Sequence, residues 1–271
     1  MSRVFFRKEL ENVASFWRIF RKDGVALGFT THDRDLYFGG IQHRAAPGML
    51  PSSIRRSADL TDDAADITGA LSHDTVSAEA LSQGRFDDAR IIVGAVDWTT
   101  LEHTILYAGS IGSVRKDANA FTAELRSAKA ALEFDPIPRT SPTCRAKFCG
   151  PQCTLSALRF TSEAALVSAN PSTNRLVFAG VDAERHKFGL VRWIDGPLTG
   201  MTMSVRAVAG DALVVDRQLP EGLEEGYRAL LREGCDRRLE TCAGRFGNAA
   251  NFQGEPFLPG NDLLAQYPVA R

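Results

Sequence analysis

The sequence predicts a mainly β protein in two parts. Residues 1–136 read as a barrel- or sandwich-like N-terminal domain. Residues 137–271 read as a β-rich C-terminal domain with short helices and a cysteine-held centre. Three observations carry this reading. Short apolar runs bounded by Gly, Asp and Asn recur along both halves, as antiparallel strands and tight turns require. The stretch Phe134-Asp135-Pro136-Ile137-Pro138-Arg139-Thr140-Ser141-Pro142 holds three prolines, whose fixed φ and missing donor mark a boundary. All five cysteines lie beyond it, in two short segments: Cys144, Cys149 and Cys153, then Cys235 and Cys242.

Taken in order, Phe6, Leu10, Val13 and Trp17 recur at helical spacing and predict a short N-terminal helix that gives way to a strand near Ser15. Lys22-Asp23-Gly24 then reads as a hairpin turn into Val25–Thr30, because Gly accepts the positive φ of a tight turn. His32, Asp33 and Asp35 invite a catalytic reading. Without a second ligand pair at a recognisable spacing, a polar turn satisfied by its own side chains is the preferred one. Ser52–Leu60 reads as a strand, Asp59–Asp66 as an acidic loop and Thr75–Leu81 as a short helix capped by Asp74. Strands follow at Arg90–Trp98, His103–Ala108, Gly112–Lys116 and Ala120–Arg126, with a turn at Asp117-Ala118-Asn119 and a last helical turn at Ala128–Leu132. Beyond the boundary, strands are expected at Arg175–Ala179, Phe188–Ile194, Met201–Ala209 and Ala212–Asp216. Asn248, Asn251 and Gly254-x-Pro256 read as an ordered irregular loop held by side-chain to backbone bonds.

The chain has 271 residues, a formal net charge of -1 and 24% charged residues, which argues against a protein built to grip nucleic acid by phosphate neutralisation. No apolar run approaches the ~20 residues that cross a bilayer, and the N-terminus lacks a secretory signal. In a reducing cytoplasm clustered cysteines are more often metal ligands than disulfides, and an odd count fits a disulfide framework poorly. There is no nucleophile elbow, Walker loop, H-E-x-x-H or G-x-G-x-x-G.

The cysteines are spaced Cys144-x4-Cys149-x3-Cys153, then 81 residues, then Cys235-x6-Cys242. Zinc ligands usually come in pairs two to four residues apart, a spacing that Cys235 and Cys242 miss. A four-iron, four-sulfur cluster takes one thiolate at each corner iron and tolerates looser spacing. Cys144 or Cys149, with Cys153, Cys235 and Cys242, suits such a cluster better than zinc; free core thiols are the third possibility. A helix over Cys235–Phe246 would set Cys235 and Cys242 two turns apart on one face, with Arg237, Arg238 and Arg245 to offset their charge. A cluster there is read as a structural staple rather than a redox site, since metal binding becomes folding free energy.

Gly234-Cys235-Asp236, Thr241-Cys242, Arg245-Phe246, Asn248, Asn251-Phe252, Gly254, Pro256 and Pro259-Gly260 together resemble the C-terminal signature of a phage tail protein family. Gly28-Phe29-Thr30-Thr31-His32-Asp33-Arg34-Asp35-Leu36 and Pro47-Gly48 resemble its first domain. The family is that of the tail baseplate hub proteins of alphaproteobacterial gene transfer agents. It is similar, more distantly, to the tail tip protein of lambda-like phages. The resemblance implies a non-enzymatic virion protein, made and assembled in the bacterial cytoplasm. It further implies a homotrimer that joins the distal tail ring to the central fibre-bearing tip protein around the DNA exit channel, through which DNA passes without specific binding. It implies a 4Fe-4S cluster on Cys144, Cys153, Cys235 and Cys242; Cys149 falls where relatives carry Gly or another small residue. The competing readings are a cytoplasmic iron–sulfur redox protein or sensor, and a zinc-stabilised adaptor.

Overall fold

The computed structural model describes residues 12–46, 50–51, 65–70, 80–81, 83–116, 120–127, 129 and 137–258. The chain divides into two compact units, Met1–Asp135 and Pro136–Arg271, and both are mainly β.

Among the described residues of the N-terminal unit nine strands make one sheet: β1 (Val13–Phe20), β2 (Ala26–Thr30), β3 (Leu36–Phe38), β4 (Ile41–Ala45), β5 (Leu50–Pro51), β6 (Ala65–Ala70), β7 (Arg90–Asp97), β8 (His103–Lys116) and β9 (Ala120–Ser127). Their spatial order is β3-β4-β2-β1-β7-β8-β9-β6-β5. The expected hairpin forms, with Phe20 opposite Ala26 and Trp17 opposite Phe29. Strand periodicity splits β1 between two cores. Trp17 and Ile19 pack with Phe29, Ile91, Val93 and Tyr107, whereas Ala14 and Phe16 pack with Leu36, Phe38, Ile92 and Val96. The strand expected from near Ser15 is therefore present but begins two residues earlier, so the expected helix is corrected at Val13, which is a strand residue. Burial on both faces gave β1 a run of aromatic and aliphatic residues, and such a run carries no clean period. Two strands expected at His103–Ala108 and Gly112–Lys116 are one, β8, with a register shift between Ile111 and Val114.

Ala65 and Asp66 open β6 rather than closing a loop. Ala80 and Leu81 are helical, as expected. The remaining expectations in this half fall outside the described residues: Phe6 and Leu10, Ser52–Leu60, residues 71–79, the turn at 117–119, most of 128–132, and Pro47-Gly48.

β2 and β4 run parallel, Gly28 opposite His43. A Cβ on Gly28 would lie 2.5 Å from the Gln42 carbonyl oxygen, so the close approach needs glycine. His43 is fully buried and stacks on Phe38 at a centroid distance of 3.9 Å. Its Nε2 accepts from Arg18 Nε at 3.0 Å, which places the neutral ring's proton on Nδ1. Burial, and then the Arg18 charge, lower the His43 pKa to about 4. The Arg18 guanidinium also donates to the Phe38 carbonyl and lies 5.0 Å from the Phe16 and Phe38 ring centroids.

The His32 segment is a polar turn. His32 N donates to Thr30 Oγ1, His32 Nδ1 accepts from Arg34 N at 3.0 Å, and Asp35 accepts from Ala45 N and Gln42 Nε2.

The C-terminal unit is built on a closed six-stranded barrel: β10 (Thr161–Asn170), β11 (Arg175–Phe178), β12 (Leu190–Trp193), β13 (Thr202–Ala209), β14 (Ala212–Val215) and β15 (Arg228–Arg232), in the order β10-β11-β14-β13-β12-β15. Leu166, Leu176, Val191, Trp193, Met203, Leu213, Ala229 and Leu231 alternate inward and fill it. Closure leaves no open edge. A short helix, α1 (Ala183–His186), is capped by Asp182, whose carboxylate accepts from Glu184 N. A second, α2 (Leu239–Gly244), follows β15. β11, β12, β13 and β14 fall where expected, whereas β10 and β15 were not anticipated.

Candidate functional site

The site is made where β15 leaves the barrel. Gly234 crosses the turn after α1 so closely that a Cβ would lie 1.7 Å from the Lys187 carbonyl oxygen, and its N–H donates to Arg185 O at 2.9 Å. Cys235 follows. The expected helix over Cys235–Phe246 is corrected here, since only Leu239–Gly244 is helical. Arg237 takes a left-handed φ of 65°. Asp236 holds the break, with Oδ1 accepting from Arg238 N at 3.0 Å and Oδ2 from the Thr241 hydroxyl at 2.8 Å. Cys242 lies buried on α2, and Cys235 precedes it outside any helix or strand.

The break has a use. It frees the Arg237 carbonyl, which accepts from Cys144 N at 2.8 Å. The upstream cysteine loop is then threaded along the tail. Arg145 N donates to Gln253 O, Glu255 N donates to Ser141 O, and Ser141 N donates to Glu255 Oε2. Arg145 binds Glu255 with both terminal nitrogens, at 2.7 and 2.8 Å. That pairing, followed by the Ser141 N–H, holds the Glu255 pKa down to about 2. Phe148, Phe160 and Phe246 pack ring to ring, with centroids 4.8 to 5.5 Å apart.

Cys144, Cys153, Cys235 and Cys242 all line one cavity of about 530 Å³. Its walls include Phe148, Phe246, Phe252, Leu155 and Arg237. Three of the four sulfurs receive N–H donors: Cys144 from Gln253 N at 3.4 Å, Cys235 from Arg237 N at 3.4 Å, and Cys153 from Asn248 Nδ2 at 3.7 Å. Among the described residues no three His, Cys, Asp or Glu side chains group as they would about a single metal ion. Burial pushes the Cys235 and Cys242 thiols up, and each rises further from the other cysteines around the cavity. Thiols so placed resist ionisation until a cation shares the space. Four cysteines around one cavity supply the number of thiolates that an iron–sulfur cluster takes.

Cys149 stands apart. It is not among the residues that line the cavity and takes a left-handed φ of 57°, although it lies within electrostatic reach of Cys153 and Cys235. Burial and then the Cys153 charge push its thiol up. Of the three arginines expected to offset the cysteines, Arg237 lines the cavity. Arg245 pairs instead with Glu233, donates to the Arg185 and Gly234 carbonyls and lies over Phe246. Spacing alone did not reveal the donors on sulfur, two of which are backbone N–H groups that any residue but proline supplies. Pro259 and Gly260 lie outside the described residues.

A sheet unit followed by a barrel unit that gathers four cysteines defines a two-part β protein. A family model described as the N-terminal attachment domain of baseplate hub proteins matches residues 5–156, and a model described as phage conserved hypothetical protein BR0599 matches residues 184–262. No curated protein matches the chain. Among solved structures, the chain is similar to one in the virion of a native gene transfer agent particle, with 30% identity and a TM-score of 0.83 over 98% of this chain and 94% of that one. The chain belongs to the baseplate hub protein family, and it is a virion component of a phage or gene transfer agent particle. No helix among the described residues is long and apolar enough to cross a membrane.

Proposed function

We propose that this chain is a non-enzymatic connector at the tail tip, stapled by a 4Fe-4S cluster on Cys144, Cys153, Cys235 and Cys242. The observation that carries the proposal is the meeting of thiols from both ends of an 81-residue excursion around one cavity. The bound group would supply cross-linking, tying the loop before β10 to the tail after β15 and adding its binding free energy to folding. Gly234 and the Asp236 break aim Cys235, α2 carries Cys242, and backbone N–H groups of Arg237 and Gln253 stabilise thiolate charge.

The N-terminal unit would attach to the distal tail ring, as the family description of an attachment domain suggests. The C-terminal unit would meet the central fibre-bearing protein, with three copies around the DNA path. A net charge of -1 suits a passage that lets DNA slide. Purified particles test this reading. The chain should be present in intact tails and cross-link to the ring protein on one side and to the tip protein on the other. Its absence from intact tails, or loss of a soluble redox activity when the cysteines are replaced, would favour an iron–sulfur redox protein instead.

A further inference from the structure

Asn248 is buried, with 7% of its surface exposed, and it touches two of the four cysteines at once. Its backbone N–H donates to the Cys242 carbonyl at 2.9 Å, closing the end of α2. Its side-chain Nδ2 lies 2.7 Å from the Cys153 carbonyl oxygen and 3.7 Å from the Cys153 sulfur, across 95 residues of chain. The amide orientation follows from chemistry, since a carbonyl oxygen only accepts. Oδ1 then accepts from Asn251 Nδ2 at 2.8 Å, and Asn251 N donates to the Asn248 carbonyl at 3.0 Å. Asn251 thus fixes the rotamer of Asn248, and Asn248 fixes Cys153 relative to Cys242. Both asparagines line the same cavity as the cysteines.

We infer that Asn248 is the positioning residue of the cysteine site: it sets the Cys153–Cys242 geometry before any group binds and directs an N–H at the Cys153 sulfur. The second half rests on the iron–sulfur reading; the first does not. Neither neighbour of Asn248 in the chain can substitute, because Gly247 has no side chain and Ala249 has no donor. A donor on a ligand sulfur stabilises the reduced, more negative state of a cluster and raises its reduction potential.

Two measurements on the full-length chain test this, with Asn248→Ala, Asn248→Asp, Asn248→Ser and Asn251→Ala compared with wild type. First, in the metal-free chain, alkylation of Cys153 by iodoacetamide is followed by peptide mass spectrometry. At a pH where an opened thiol is fully ionised, so that exposure of the sulfur and not an N–H donor to the thiolate sets the rate, Asn248→Ala should speed it roughly fivefold, the factor that one lost hydrogen bond implies, while Cys144 is unchanged. Asn248→Ser keeps a short donor and should fall between. Second, an anaerobic redox titration of the reconstituted chain follows the cluster by electron paramagnetic resonance. Asn248→Ala should shift the potential negative, and Asn248→Asp further, because a carboxylate removes the donor and adds charge. Asn251→Ala should shift it less than either. Unchanged alkylation in Asn248→Ala and Asn248→Ser overturns the positioning role. An unchanged potential in Asn248→Ala overturns the role at sulfur. A wild-type chain that takes up no iron or sulfide counts against the cluster alone, since the alkylation arm needs no metal and still decides the place of Asn248.

Discussion

Cys149 and Gly234 show how much one residue's backbone can say. Cys149 holds a left-handed φ of 57° that an L side chain adopts at a cost and glycine adopts freely. Cys149→Gly should therefore keep bound iron and raise stability in urea by up to about 1 kcal/mol. Loss of metal in that variant would move the ligand assignment from Cys144 to Cys149. Gly234 has no such latitude, because a Cβ would sit 1.7 Å from the Lys187 carbonyl. Gly234→Ala should cost about 3 kcal/mol or more and yield insoluble chain, and a soluble variant with the wild-type urea midpoint would contradict the crossing described here. The sequence displayed the glycine, but the contact that requires it lies 47 residues away in β-strand-flanked turn geometry that no local pattern encodes. The cysteines were legible because thiols are rare and clustered. Asn248 was legible only as a loop residue, since its partner Cys153 is 95 residues distant.

At the scale of elements, strands with one buried face announced themselves, as in the alternation of Met203 and Val205 with Ser204 and Arg206 in β13. β10 did not, because Thr161–Asn170 is mostly small and polar and buries only Ala164 and Leu166. β15 is a short run inside charged sequence, and its place is set by pairing with both β10 and β12. β1 misled only at its start, at Val13, for the opposite reason, being apolar on both faces.

The β1–β4 neighbourhood also sets a pH response. Folded His43 takes its proton only near pH 4, against an ordinary 6.5 for the unfolded chain. Between those values the unfolded state holds more protons, so folding stability rises with pH there and is lost as pH falls from 6.5 through 4. The full displacement corresponds to on the order of 3 kcal/mol. Urea unfolding of the N-terminal unit between pH 7 and pH 4 should show the loss. His43 ring resonances that titrate near 6.5 in the folded protein would contradict it.

For the molecule as a whole, two units with separate cores predict two unfolding steps. Every cysteine lies in Pro136–Arg271, so iron removal by a chelator should lower the melting temperature of one calorimetric transition and leave the other in place. A parallel fall in both would show that the cysteine site does not act on its own unit alone. The mainly β class could be read from the sequence. The arrangement could not: the closed barrel is the C-terminal unit, and the N-terminal strands make a nine-stranded sheet, because strand order and closure depend on pairings between distant segments.

The most direct measurement is the iron and acid-labile sulfide content of the full-length chain purified without oxygen, beside Cys144→Ser, Cys153→Ser, Cys235→Ser and Cys242→Ser. Roughly four of each per chain is expected for wild type, with visible absorption, and a loss of both in every serine variant. Zinc in place of iron, or a wild-type chain that folds identically with no metal, would contradict a cluster-stapled tail-tip connector.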